Sequence, residues 1–159
     1  MNAMSGRRVG VVHLVSGCAR QQPRPEPARD LYDGLWFRSA RAVAERDADA
    51  WFILSARHGL LRPDARVQPY ADRLEGRSAA ALRAWSALVA EKMDRMAPEA
   101  ERVVVLCDRP PPPELLRALE MRYPEVERPL AGLEIAAQVL HMARAADRAA
   151  PRRRVAGMV

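Results

Sequence analysis

Groups able to do chemistry follow three apolar runs of this chain. Ser16, Gly17, Cys18 and Arg20 follow the first run, Ser55, Arg57, His58 and Gly59 the second, and Cys107, Asp108 and Arg109 the third. Pro129 and Gly132 follow a shorter run at Glu125–Pro129. A guanidinium offers a planar fork of donors that suits phosphate or carboxylate. Arg20 and Arg57 are therefore candidate anion binders, the plainer alternative being a salt bridge to Asp30, Asp33 or Asp72. Helix N-termini near Ser78, Glu114 and Leu133 could add backbone N–H groups to the same anion. His58 is a candidate general acid or base near neutral pH, or a loop histidine bonding a carbonyl. Asp108 is a candidate base or nucleophile, or a cap and partner for Arg109. Tyr32 and Tyr70 would stack on a base or anchor their loops on the body.

The remaining polar and sulfur groups read more plainly. His13, inside the first run, reads as a packed core residue, and His141 as a structural helix residue. Cys18 and Cys107 have three readings: small buried residues, a reactive thiol, or ligands of a metal shared with His58. No CxxC or HExxH spacing supports a metal, so neither a metal nor a cofactor is expected. No Walker loop or GxGxxG fingerprint occurs either, which argues against ordinary nucleoside-triphosphate or dinucleotide binding. Pro110–Pro113 reads as a rigid lead-in to a helix rather than an exposed polyproline ligand.

The apolar runs must be the strands that hold these groups. Arg8–Ser16, Ala50–Ser55 and Arg102–Cys107 are nearly continuous and rich in β-branched residues, the pattern of strands buried on both faces. Glu125–Pro129 is a shorter fourth candidate. Helical spacing appears at Leu35–Arg46, from an N-cap at Ser78 to about Met96, at Glu114–Arg122, and from Leu133 to about Arg144. Alternating strands and helices predict an α/β single domain: a three-layer sandwich with a mostly parallel sheet of about four strands and helices on both faces. Two connections are long, Gly17 to about Asp33 and Arg57 to Arg77. Structureless loops of that length are usually functional or disordered. Both follow strands, and in parallel sheets ligands bind beyond the strands' carboxyl ends.

Composition limits the classes. The chain has 159 residues, so one domain is expected. Residues 1–147 form the expected α/β domain and residues 148–159 a basic, flexible tail. No apolar run approaches the roughly 18 residues of a membrane span, and Met1–Arg8 has no apolar signal core. Two cysteines do not make a disulfide scaffold, so a cytoplasmic location is expected. The net charge is +6, with Lys92 as the one lysine among 26 basic residues. The excess sits at the ends: between Val9 and Asp147 there are 20 basic and 20 acidic residues. A neutral body argues against a plain duplex binder, which normally shows a basic face. The arginines of the tail read as a solubilising end or as a nucleic-acid arm.

One resemblance covers most of the chain. Its residues are Val15-Ser16-Gly17-Cys18, Pro27 to Tyr32, Phe37, Arg41, Trp51 to Leu60, Pro63-Asp64, Pro69-Tyr70 through Leu74, Trp85, Val103 to Leu106, and Pro129 to Ile135. The block Ile53-Leu54-Ser55-Ala56-Arg57-His58-Gly59-Leu60 with the following Pro69-Tyr70 is the most specific. With these residues the chain resembles a family of uncharacterised bacterial and phage proteins related to the YaaA-like peroxide-stress proteins and to domains found with tRNA-guanine transglycosylases. It departs where the family carries lysines after the first cysteine, having Ala19-Arg20-Gln21-Gln22 there. It departs again where Cys107-Asp108-Arg109 and four prolines stand in place of a small residue, glycine and a later tyrosine.

The resemblance implies work on DNA, modified bases or nucleotides. Together with the strand-end residues it leads to an expected enzyme of a nucleobase, nucleotide or modified base in nucleic acid, performing N-glycosidic cleavage or base transfer. Asp108, His58 and Glu134 are the expected catalytic residues, the carboxylates facing an oxocarbenium-like sugar. Ser16, Cys18, Arg20, Tyr32, Arg41, Ser55, Arg57, Tyr70 and Gly132 are the expected substrate-binding residues, with Arg20 and Arg57 on phosphate. A homodimer is compatible with this reading. A non-catalytic nucleic-acid-binding or stress-response protein is the alternative, and a thiol or metal protein at Cys18 and Cys107 a further one.

Overall fold

The computed structural model describes residues 9–156, with side chains through residue 148. Met1–Arg8, including the Arg8 end of the first expected strand, lies outside them, as do residues 157–159. β1 (Val11–Ser16) is the central strand, and its side chains alternate between two apolar layers. Val12 and Leu14 face one layer with Phe52, Leu54, Val103 and Val105, while Val15 faces the other with Ile53, Val104 and Leu106. A strand with both faces covered has no polar side to show, which is why its sequence is a continuous apolar run.

Two elements follow β1 before the first long helix. They are β2 (Glu26–Pro27) and the one-turn helix α1 (Ala28–Leu31). Next come α2 (Leu35–Asp47), β3 (Ala50–Ser55), β4 (Gly59–Leu61) and β5 (Arg66–Val67). The chain ends with α3 (Ala79–Met96), β6 (Arg102–Leu106), α4 (Pro113–Arg122), β7 (Glu125–Glu127) and α5 (Ile135–Ala156).

The main sheet has the order β4-β3-β1-β6-β7. Four of its strands are parallel, as expected, and β4 adds a fifth that runs antiparallel to β3. Phe37, Ala40 and Ala44 of α2 and Met142 of α5 cover one face. Trp85, Val89 and Met93 of α3 and Leu115 and Leu119 of α4 cover the other. The fold is thus a three-layer α/β sandwich. Ser78 caps α3 by accepting from Ala81 N at 3.1 Å, and α4 opens on Pro113, where a missing N–H costs nothing. α5 runs past its expected end near Arg144, so the expected boundary at residue 148 falls inside a helix.

The two long connections are not structureless. β2 pairs with β5, Glu26 facing Val67, and so ties the first connection to the second. Within the first, a bridge joins Gln21 to Tyr32, and Asp33 N donates to Arg20 O at 2.8 Å. These bonds draw both connections over the carboxyl ends of β1 and β3.

Leu14 is fully buried in the strand that both faces depend on. Leu14→Ala is expected to cost about 3 kcal/mol, the range of a buried leucine truncation. Urea denaturation checks this, and a loss under about 1 kcal/mol would contradict the central packing of β1.

Candidate functional site

The order of the sheet creates a crevice. From β1 the chain crosses to β3 on one side, and from there to β6 on the other, so β1 and β6 are adjacent but their connections part in opposite directions. A crevice beyond the carboxyl ends of such strands is the usual ligand position in open α/β sheets. A cavity of about 560 Å³ lies there. Its polar floor is Ser16, Cys18, Cys107 and Asp108, and Leu54, Leu82, Trp85 and Pro110–Pro113 supply apolar wall. Tyr70 and Asp72 through Glu75 form the other side.

Asp108 is the best-held carboxylate of this cavity. Ser16 Oγ donates to its Oδ1 at 3.0 Å, and Arg109 N donates to the same oxygen at 3.0 Å. Asp108 N in turn donates to Ser16 Oγ at 3.2 Å. The other oxygen, Oδ2, accepts no hydrogen bond from the described residues. Gln138 fixes the backbone from behind: its Nε2 donates to Asp108 O at 3.1 Å and to Leu133 O at 2.8 Å. Its Oε1 accepts from Trp36 Nε1 at 2.7 Å. The sequence reading missed Gln138. The available signal was a polar residue four before Met142, on the stripe of α5 that is buried.

A second network holds the loops. Tyr32 and Tyr70 share a hydrogen bond of 2.5 Å between their hydroxyls, and Ser55 Oγ donates to Tyr70 at 2.8 Å. Ser55 Oγ also accepts from His58 N at 3.0 Å. Gly17 makes room for this pair, because a Cβ there would sit 2.7 Å from Tyr32 Cε1. Burial pushes both phenols above their ordinary range, Tyr32 further than Tyr70. Tyr32 is 3 % exposed and is an anchor, not a stacking platform; Tyr70 reaches the cavity wall.

Several expected site residues stand elsewhere. His58 lies in the turn from β3 to β4, ring edge against Tyr70 at 5.6 Å, and does not line the cavity. Burial, with Arg57 and Lys92 nearby, lowers its pKa, so it is neutral near pH 7. Arg57 points to Asp72 at 3.5 Å. Arg20 is exposed and contributes its carbonyl, which accepts from Cys18 Sγ at 3.2 Å. Arg41, on α2, is committed to Glu45 of the same helix at 2.6 Å and to Asp30 of α1 at 2.9 Å. Glu134 is exposed just before α5. Gly132, at φ 79°, borders a smaller hollow of about 140 Å³ behind Asp108. The cavity therefore gathers Ser16, Cys18, Tyr70 and Asp108, and leaves out Arg20, Tyr32, Arg41, Ser55, Arg57, His58, Gly132 and Glu134.

The surroundings of both cysteines favour the thiol over the thiolate. Burial raises the Cys18 thiol, with the Asp108 charge adding to it. Burial and Asp108 push Cys107 up to about 12. Among the described residues, no three of His, Cys, Asp and Glu gather to hold a metal ion.

Two outcomes follow. Because the fold favours neutral Tyr32 and Tyr70, the contribution of these two phenols to stability is expected to be full below pH 10 and to fall as pH rises above it, where the unfolded phenols ionise. Tyr32→Phe should flatten that alkaline limb in urea denaturation. Gly17→Ala should cost about 1–3 kcal/mol by overpacking against Tyr32; an unchanged thermal midpoint would contradict the contact.

A family model described as a family of unknown function (DUF6884) matches residues 12–144. No curated protein and no solved structure matches the chain. No helix among the described residues is long and apolar enough to cross a membrane.

Proposed function

The chain belongs to that family of unknown function, DUF6884, and from this premise we propose that it cleaves the N-glycosidic bond of a nucleoside or of a modified base. The observation that carries the reading is the Asp108 carboxylate. It is oriented by Ser16 and by Arg109 N, and it borders a cavity with Trp85 and prolines in its walls. Such walls suit a flat heterocycle. A carboxylate beside the sugar stabilises positive charge developing at the anomeric carbon. Water adds to that carbon as its bond to the base nitrogen breaks. Asp108 takes the water's proton, and the departing base regains it on nitrogen. Ser16 is a positioning residue that aims the carboxylate.

The charges favour a substrate without phosphate. Arg73 and Arg109 are the cations among the lining residues, and Arg109 already meets Glu75 at 3.1 Å. The three carboxylates of Asp72, Glu75 and Asp108 outnumber them. The first turn of α4 begins with prolines, which have no N–H to offer an anion. The resemblance to YaaA-like proteins agrees with base chemistry. The free thiols of Cys18 and Cys107 fit a reducing, cytoplasmic setting.

Base release from a panel of nucleosides, nucleotides and DNA tests this reading. Nucleosides are expected to react ahead of their phosphates. Asp108→Asn should lower kcat at least about a hundredfold, while His58→Gln should change it by less than a few fold. No release from any member, with an unaltered circular dichroism spectrum, would overturn the proposal.

A further inference from the structure

A second hollow, of about 300 Å³, lies on the sheet face covered by α2 and α5. It shares no lining residue with the cavity that holds Asp108. Its floor is Val11 and His13 of β1 with Val104 and Leu106 of β6, and Val43 and Met142 close it from the helices. A mostly apolar hollow of this size is large enough for a small ligand.

His13 is the exception in that apolar floor. It is 4 % exposed, and its Nδ1 is buried without a hydrogen-bond partner among the described residues. Buried polar atoms are nearly always paired, so an unpaired one calls for a reason. The mouth carries Asp47, Arg102, Glu127 and His141. Three of these four are already engaged: Arg46 donates to both oxygens of Asp47 at 2.8 Å, and Arg102 donates to Glu127 at 2.6 Å. With Asp47, Arg102 and Glu127 compensated by these pairs, the mouth offers little attraction to a charged ligand.

We propose that this hollow binds a neutral, ring-sized, largely apolar molecule whose single hydrogen-bonding group meets His13 Nδ1 once the imidazole turns that atom toward the hollow. Burial lowers the pKa of His13, so its imidazole is neutral near pH 7 and Nδ1 can donate or accept according to tautomer. The site is independent of the chemistry proposed at Asp108.

Phenol, indole and benzene are the probes, titrated into the intact protein and followed by NMR of the His13 imidazole and the Met142 methyl. Phenol and indole are expected to give saturable shifts at both, leaving Ser16 and Asp108 unmoved. His13→Leu keeps an apolar floor without the nitrogen; it should weaken phenol about tenfold and leave benzene unchanged. Ala145→Phe, which fills the hollow from α5, should abolish all three, and it serves alone if His13→Leu fails to fold. No shift with phenol or indole in the natural protein would overturn the proposal. So would equal losses of phenol and benzene in His13→Leu, or undiminished binding in Ala145→Phe.

Discussion

Parallel hydrogen bonds from β1 to β3 on one side and to β6 on the other pair Ser16 with Leu54 and Val15 with Leu106. That register brings the ends of three strands to one level. It is held because a slip of one residue would turn every buried side chain of β1 to the wrong layer. Ser16 and Asp108 are 92 positions apart in the chain, yet they meet because their strands end side by side. The carboxylate's orientation is thus a product of core packing.

The elements legible in the sequence were those whose patterns are long. β1, β3 and β6 are apolar runs of five or six residues, and α3 has a capping serine and a stripe of Trp85, Val89 and Met93. The elements missed were too short for any period to show. β4 is Gly59-Leu60-Leu61, and β2 and β5 have two residues each. Their partners are distant in sequence, so only tertiary contact identifies them. The same shortness made two fastened connections read as open loops.

The candidate site was legible by position more than by residue. Strand ends bring Ser16, Cys18 and Asp108 to the lining of one cavity. Charge type alone misdirected the rest. Arg41 meets Glu45 four residues on in α2, a spacing the sequence does show, whereas Arg57 faces Asp72 fifteen residues away, which no helical spacing marks. His58 follows β3, but the tight turn into β4 carries its ring to Tyr70. Gln138 and the unpaired nitrogen of His13 are polar atoms among apolar neighbours, and their meaning appears only when partners can be counted.

The four prolines beside Asp108 have a consequence for how the cavity could adapt. Each ring fixes its own φ and restricts the residue before it. One side of the cavity is therefore ordered before any ligand arrives and has little freedom left to lose. The opposite side, from Tyr70 to Arg77, is built of long exposed side chains such as Arg73 and Glu75. The entropy lost on binding falls almost wholly on that side. Affinity would then be tuned there, by shortening or stiffening the 70–77 segment, with the proline wall acting as a fixed template.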